Sequence, residues 1–122
     1  MAKTLIDRIA ETSLILSAKQ LERNSVHLRG FVINKPSFLY DGKMGTFEIV
    51  MIHKTMKGVR TQKYSCFTQA RNIIETLQKM ETVCYVDGKG TLRNSRGHSA
   101  PMIMKFKVLV ESSFKLEEKE KK

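Results

Sequence analysis

Residues 87–99 read DGKGTLRNSRGHS, with three glycines, one lysine, two arginines and a histidine in thirteen positions. Glycine lets a backbone approach a ligand closely, and cations draw in phosphate, so the pattern suits phosphate chemistry. It could be the nucleotide loop of an enzyme, a loop tracking a nucleic-acid backbone, or a solvated turn. The spacing rejects the first. DGKGT lacks the G-x-x-x-x-G-K-[ST] order of a phosphate-binding loop, and no helical pattern follows it. His27, His53 and His98 lie in separate segments without metal-ligand spacing, and no pair of acids marks a cleft. Cys66 and Cys84 sit in apolar runs without CxxC spacing, which predicts buried thiols and no disulfide or metal site. The sequence therefore predicts no catalytic residues, no metal, no cofactor and no small-molecule substrate.

Charge favours a polymer. The chain of 122 residues carries 22 Lys+Arg against 12 Asp+Glu, a net of +10. Residues 24–115 hold 15 of the bases and 6 of the acids, so the excess lies on the folded body and not in a tail. A polyanion would meet a shaped surface. No apolar run approaches the roughly 20 residues that span a bilayer, and Asp7 and Glu11 interrupt the N-terminus where a signal peptide would be apolar. The expectation is a cytoplasmic protein without a membrane partner.

These cations need elements to position them. VHLRGFVI (26–33) alternates as a strand with a bend at Gly30, and 34–43 reads as a loop through Pro36 and Asp41-Gly42. The next strand, 44–54, puts Phe47, Ile49 and Met51 on one face. A turn at Lys57-Gly58 returns the chain as 61–68. Ala70, Ile73, Ile74, Leu77 and Met80 then form one helical stripe, with Thr68 as its N-cap. Strands follow over 82–90 and 102–110, the latter with Met104, Phe106, Val108 and Val110 on one side and Lys105 and Lys107 on the other. The fold class is therefore all-β with one helix. Five strands with the helix between strands 3 and 4 is the order of an OB-fold, a Greek-key barrel. Residues 24–115 form this domain, after an N-terminal extension (1–23) and before a short charged tail (116–122).

With those elements in order, NSVHLRGFVINKPSF resembles the first strand of the bacterial and phage single-stranded-DNA-binding proteins, with Asn24, Gly30 and Pro36 as its anchors. GTFEIVM resembles their second strand. YSCFTQARNIIETLQKMETVCYVDGKGTLRN resembles their third strand, helix and following strand. The resemblance covers about residues 24–115 and rests on the order of several weak motifs. It implies a homo-oligomeric barrel, dimer or tetramer, that binds single-stranded DNA without sequence preference in replication and recombination, and is not an enzyme. The chain departs from the family in having no tryptophan, no long acidic tail with an apolar tip, and some 23 residues before the barrel. Those departures suit a trimmed, divergent member, of the kind a phage or mobile element would encode for use in a bacterial cell or infected host.

Single-strand binding needs flat side chains, each stacked base contributing about 1–3 kcal/mol, and cations that release counterions. Reading Ser65 and Phe67 as the core face of the third strand leaves Tyr64 on the outer face, where the resemblance places stacking. Tyr64 is the first candidate. Tyr85 is the second, facing out between inward Cys84 and Val86, and Phe38 with Tyr40 form a third site. Phe31 suits stacking or an oligomer interface, and Arg29 suits an interface. Phe47, Phe67 and Phe106 read as core. The candidate cations are Lys35 (with Lys43) in the first loop, Lys54, Lys57, Arg60 and Lys63 on the hairpin, Arg93 and Arg96 in the opening stretch beside His98, and Lys105 and Lys107 on the last strand. The alternatives are an OB-fold accessory that binds RNA or a replication protein, and an assembly protein that docks through Leu5, Ile6, Ile9, Leu14, Ile15 and Leu16.

Overall fold

The computed structural model describes residues 4–13, 23–95 and 97–118. Its elements are α1 (Leu5–Ala10), β1 (Val26–Val32), β2 (Ser37–Leu39), β3 (Met44–Thr55), β4 (Gly58–Thr68), α2 (Arg71–Lys79), β5 (Thr82–Ser95) and β6 (His98–Lys115). A capping box starts α1: Thr4 Oγ1 accepts the Asp7 N–H, and the Asp7 carboxylate accepts the Thr4 N–H. Leu5 and Ile6 of this helix are exposed. Leu14, Ile15 and Leu16 lie outside the described residues.

The ladder runs β1–β5–β6–β4–β3, and β1 returns to β3 at Phe31 opposite Val50. The five long strands thus close into a barrel, with β4 and β6 meeting in parallel at Phe67 and Met102. Such closure leaves the barrel no continuous open edge. This is an OB-fold, with its helix between the third and fourth long strands. Closure depends on bare backbone. A Cβ on Gly30 would stand 2.7 Å from the Val50 carbonyl oxygen, and one on Gly90 would stand 1.8 Å from that of Met102. Gly30 is where the sequence predicts a bend.

The interior is filled by Val32, Ile49, Val86 and Ile103 from the strands and by Ile73 and Leu77 from α2. The helical stripe behaves as predicted: Ile73, Ile74 and Leu77 are buried, each worth about 1.5–3 kcal/mol of transfer free energy. Its N-cap is Ala70, not Thr68. Buried Thr68 has another task, donating to the Ile103 carbonyl at 2.7 Å and accepting the Ala70 N–H at 3.2 Å. A polar residue is thereby satisfied inside the barrel.

Four expectations need correction. Residues 34–43 are not all loop, because Ser37–Leu39 pairs with Thr46–Met44 as β2. The stretch after the strand expected over 82–90 is not a loop either, since β5 runs on to Ser95 and β6 begins at His98. The one-sided row in the last strand is broken by extra residues. Met104 and Leu109 are inserted where the β5 register slips, so Phe106 and Val108 face inward while Met104 and Val110 are exposed. Lastly, the two faces of β4 are reversed: Cys66 and Thr68 are buried, and Ser65 is exposed. Both phases of β4 carry an apolar residue, so alternation alone cannot say which faces inward.

Strand directions place two arms at one end. The β3–β4 hairpin (51–62) and the β5–β6 hairpin (91–101) extend beyond the barrel where β1 begins. The Asn24 side chain ties that entry to the second arm, accepting the Leu92 N–H at 2.8 Å and donating to its carbonyl at 3.0 Å. Helix α2 and the exits of β1 and β6 occupy the other end.

Candidate nucleic-acid interface

Period-two geometry sends alternate residues of β5 to opposite faces. Cys84, Val86, Gly88 and Gly90 face the core; Tyr85, Asp87, Lys89, Thr91 and Arg93 face out. Across the ladder, Tyr85 meets Val110, Asp87 meets Lys107, Lys89 meets Lys105, Thr91 meets Met102 and Arg93 meets Ala100. On the β1 side, Phe31 meets Tyr85, Arg29 meets Asp87 and His27 meets Lys89. The outer surface of β1–β5–β6 is therefore a basic sheet face with aromatic rings at one end.

Two interactions fix part of it. The rings of Phe31 and Tyr85 sit edge to face, with centroids 5.0 Å apart. Asp87 accepts from Arg29 Nε at 2.7 Å and from His27 Nε2. The Arg29 hydrogen bond, then that of His27, holds the Asp87 carboxyl below the usual carboxylate range. Lys89, Lys105, Lys107 and Arg93 have no ion pair among the described residues. They remain available to an anion.

Next to this face, over the β4–β6 join, lies a groove of about 680 Å³. Met44 and Thr46 of β3, Phe67 of β4, Gln69, Arg93 of β5 and Met102 of β6 line it. Phe67 reads as core from the sequence but turns outward here, because it sits opposite Met102 on the outer row of the β4–β6 seam. Tyr64 makes the opposite exchange. It lies opposite Ile49 on the core-side phase of β4 and is 36% exposed only because the arm outruns the barrel.

The other predicted residues are dispersed. Lys54 and Lys63 lie on the outer face of the β3–β4 arm, opposite Val59 and Val50. Arg60 lies on the other face, opposite His53, and Lys57 sits in the turn. Lys35 and Phe38 line a separate cavity of about 570 Å³ beside α2, where Lys35 Nζ meets Glu118 at 2.5 Å and Phe38 packs against the core. Tyr40 is exposed in the following turn. Arg96 lies outside the described residues. Of the groove lining only Arg93 was predicted, and Phe67, Met102 and Gln69 were missed, as was Lys89 of the outer row. Lys89 was legible, since it follows Tyr85 at twice the strand period in the stretch first singled out. Phe67 was not, because only the β4–β6 pairing fixes its face.

Both thiols are free and buried, and burial pushes the Cys66 thiol up to about 12, which keeps it protonated and a poor nucleophile. No group of three or more His, Cys, Asp or Glu that could hold a metal ion occurs among the described residues. No helix among them is long and apolar enough to cross a membrane.

Neither a family model nor a curated protein sequence matches the chain. Solved structures do match it. The mitochondrial single-stranded DNA-binding protein Rim1 of Saccharomyces cerevisiae superposes with a TM-score of 0.60 at 11% identity, over 75% of this chain and 99% of that one. The Plasmodium falciparum SSB, solved in complex with single-stranded DNA, gives 0.56 at 15% identity over 73% and 96%. The dimeric N-terminal domain of PriB from Thermoanaerobacter tencongensis gives 0.52 at 17% identity over 74% and 100%. At these identities the likeness establishes the OB-fold.

Proposed function

We propose that the chain is a non-enzymatic module that binds single-stranded DNA in replication and recombination and works as a homo-oligomer, dimer or tetramer. The observation that carries this reading is the outer face of β5–β6. Lys89, Lys105 and Lys107 stand there without ion pairs among the described residues, between the Phe31–Tyr85 ring pair and the Phe67 groove. Spaced cations beside flat rings are what a flexible strand needs, its phosphates drawn to the lysines and its bases laid on the rings. A duplex hides the faces of its bases and gains only the electrostatic part. The matched Rim1, and the Plasmodium protein solved with single-stranded DNA, support the same ligand. The dimeric PriB domain supports self-association.

Anisotropy titrations with poly(dT), poly(rU) and duplex DNA at one fixed salt concentration test the reading, with light scattering for the mass. Poly(dT) should bind tightest, and the mass should be a multiple of the 14.0 kDa chain. Preference for structured RNA, or no affinity for poly(dT), would sink it.

A further inference from the structure

We propose that His27 and Arg29, held in place by Asp87, form a phosphate site at the edge of the lysine row, and that a bound strand draws a proton onto His27 Nδ1. The inference rests on the single-strand reading and deepens it, by making affinity depend on pH. The ladder brings the parts together. His27 stands opposite Lys89, and Lys89 opposite Lys105, so one transverse row crosses β1, β5 and β6. Neighbouring strands lie about 5 Å apart, so an anion held by Lys89 is within reach of the side chain at position 27. The next row along the strands is Arg29, Asp87 and Lys107.

Asp87 is sunk between its two partners. Its side chain is 14% exposed, against 49% for His27 and 57% for Arg29, so a phosphate arriving from solvent meets the bases before the acid. Each base gives Asp87 one nitrogen and keeps the rest. Arg29 donates from Nε, and its two terminal nitrogens have no hydrogen bond among the described residues. His27 meets Asp87 through Nε2, and its Nδ1 has none either. A carboxylate only accepts, so the neutral ring carries its proton on Nε2 and leaves a lone pair on Nδ1. That lone pair repels a phosphate oxygen. Once a proton from solvent is added, Nδ1–H donates to the same oxygen.

The surrounding charge sets the sign of the effect. On β1 the charged neighbours of His27 are Arg29 and, ahead of the strand, Arg23; β5 adds Asp87 and Lys89, and β6 adds Lys105 and Lys107. Strand β3, which meets β1 at Val50, carries Lys54 on its outer row, and Glu48 beyond Val50 accepts from Asn34 Nδ2 at 3.3 Å. With His27 neutral, Arg29 and Asp87 cancel, and the site adds no charge to the lysine row. Protonation leaves it one net positive charge, which a phosphate offsets. Binding therefore favours the charged ring. Affinity is highest at a pH where His27 is already protonated, and that gain is lost as the pH rises through the titration of the complex.

The test uses the full chain and a fluorescent dT oligonucleotide at one salt concentration, titrated from about pH 8 down to about pH 5.5, a range that brackets histidine. Affinity should rise about tenfold, the factor that accompanies a rise of about one unit in the His27 titration midpoint on binding. His27→Gln keeps a donor for Asp87 but cannot titrate, and it should hold the weaker affinity throughout. His53→Gln and His98→Gln should keep the full response. Proton NMR of the His27 ring, with and without the oligonucleotide, reads the midpoint directly and should show it move up in the complex. A flat affinity in the natural protein, a response that survives His27→Gln, or a midpoint that stays in place would overturn the proton-linked site and leave single-strand binding standing. No binding at any pH would overturn both readings.

Discussion

Strands β5 and β6 present two faces that differ in every respect but backbone. The inner row, Val86, Gly88 and Gly90 facing Val108, Phe106 and Ile103, is apolar and packed, and it includes a carbonyl so near Gly90 that no side chain fits. The outer row, Tyr85, Asp87, Lys89, Thr91 and Arg93 facing Val110, Lys107, Lys105, Met102 and Ala100, is mostly polar and its cations are unspent. One residue of displacement separates a position that holds the barrel together from one that meets a ligand. Stability and binding should therefore be separable by mutation, strand position by strand position.

The strongest challenge to that separation is Gly90→Val, whose side chain would collide with the Met102 carbonyl. It should abolish the cooperative melting transition followed by circular dichroism; a normal melt would mean that the β5–β6 bulge yields. Ile103→Ala, also on the inner row, should cost about 2–5 kcal/mol of stability in chemical denaturation. Its poly(dT) affinity should stay unchanged at temperatures where it remains folded.

Outer positions should behave the other way round. Phe67→Ala should weaken poly(dT) binding by about 1–3 kcal/mol, the value of one stacked base, with little change in melting temperature. Tyr64→Ala, on the core-side phase of β4, should weaken it less. A reversal of that order would return the binding face to the opposite side of β4. Replacing Lys89, Lys105 and Lys107 together by Ala should flatten the slope of log affinity against log salt by about 0.7 per lost contact. An unchanged slope would remove the phosphates from this face.

The smallest effect concerns Asp87, the one carboxylate of the outer β5 row. Its folded value is depressed by Arg29 and His27 below the ordinary 3.8, so it contributes stability above that pH and loses it as the pH falls through the depressed value. The melting temperature of the natural protein should drop more steeply below about pH 4 than that of Asp87→Asn. Parallel curves would show that the cluster contributes nothing to folding.

The contrast also shows what was legible in the sequence. Strand order, the helix and its buried stripe could be read, because they depend on local period and on turn residues such as Asp41-Gly42 and Lys57-Gly58. The inward phase of β5 was legible too, since Cys84 and Val86 flank a single tyrosine. In β4 and β6 the same method failed for two different reasons. Cys66 and Phe67 are both apolar neighbours, so phase had to come from the parallel partner strand. In β6 the inserted Met104 and Leu109 each shift the alternation by one, and no sequence period marks a bulge. The stretch DGKGTLRNSRGHS misled for a third reason. Its glycines suggest that the strand ends near Gly90, yet it runs on to Ser95, and Gly88 and Gly90 let β6 and Ile103 come close.

The meeting of β4 and β6 has one more consequence. Their parallel register is held at Phe67 and Met102, a join as short as that of β1 and β3 at Phe31 and Val50, while the other ladders of the barrel are longer. Parallel pairing is also slightly weaker per residue. Local opening should start at that join, and amide protons flanking it should exchange with solvent sooner than those of β1 or β5. Phe67 and Met102 are themselves walls of the groove. A bound strand would rest across the join like a strut, and slower exchange there would register its arrival.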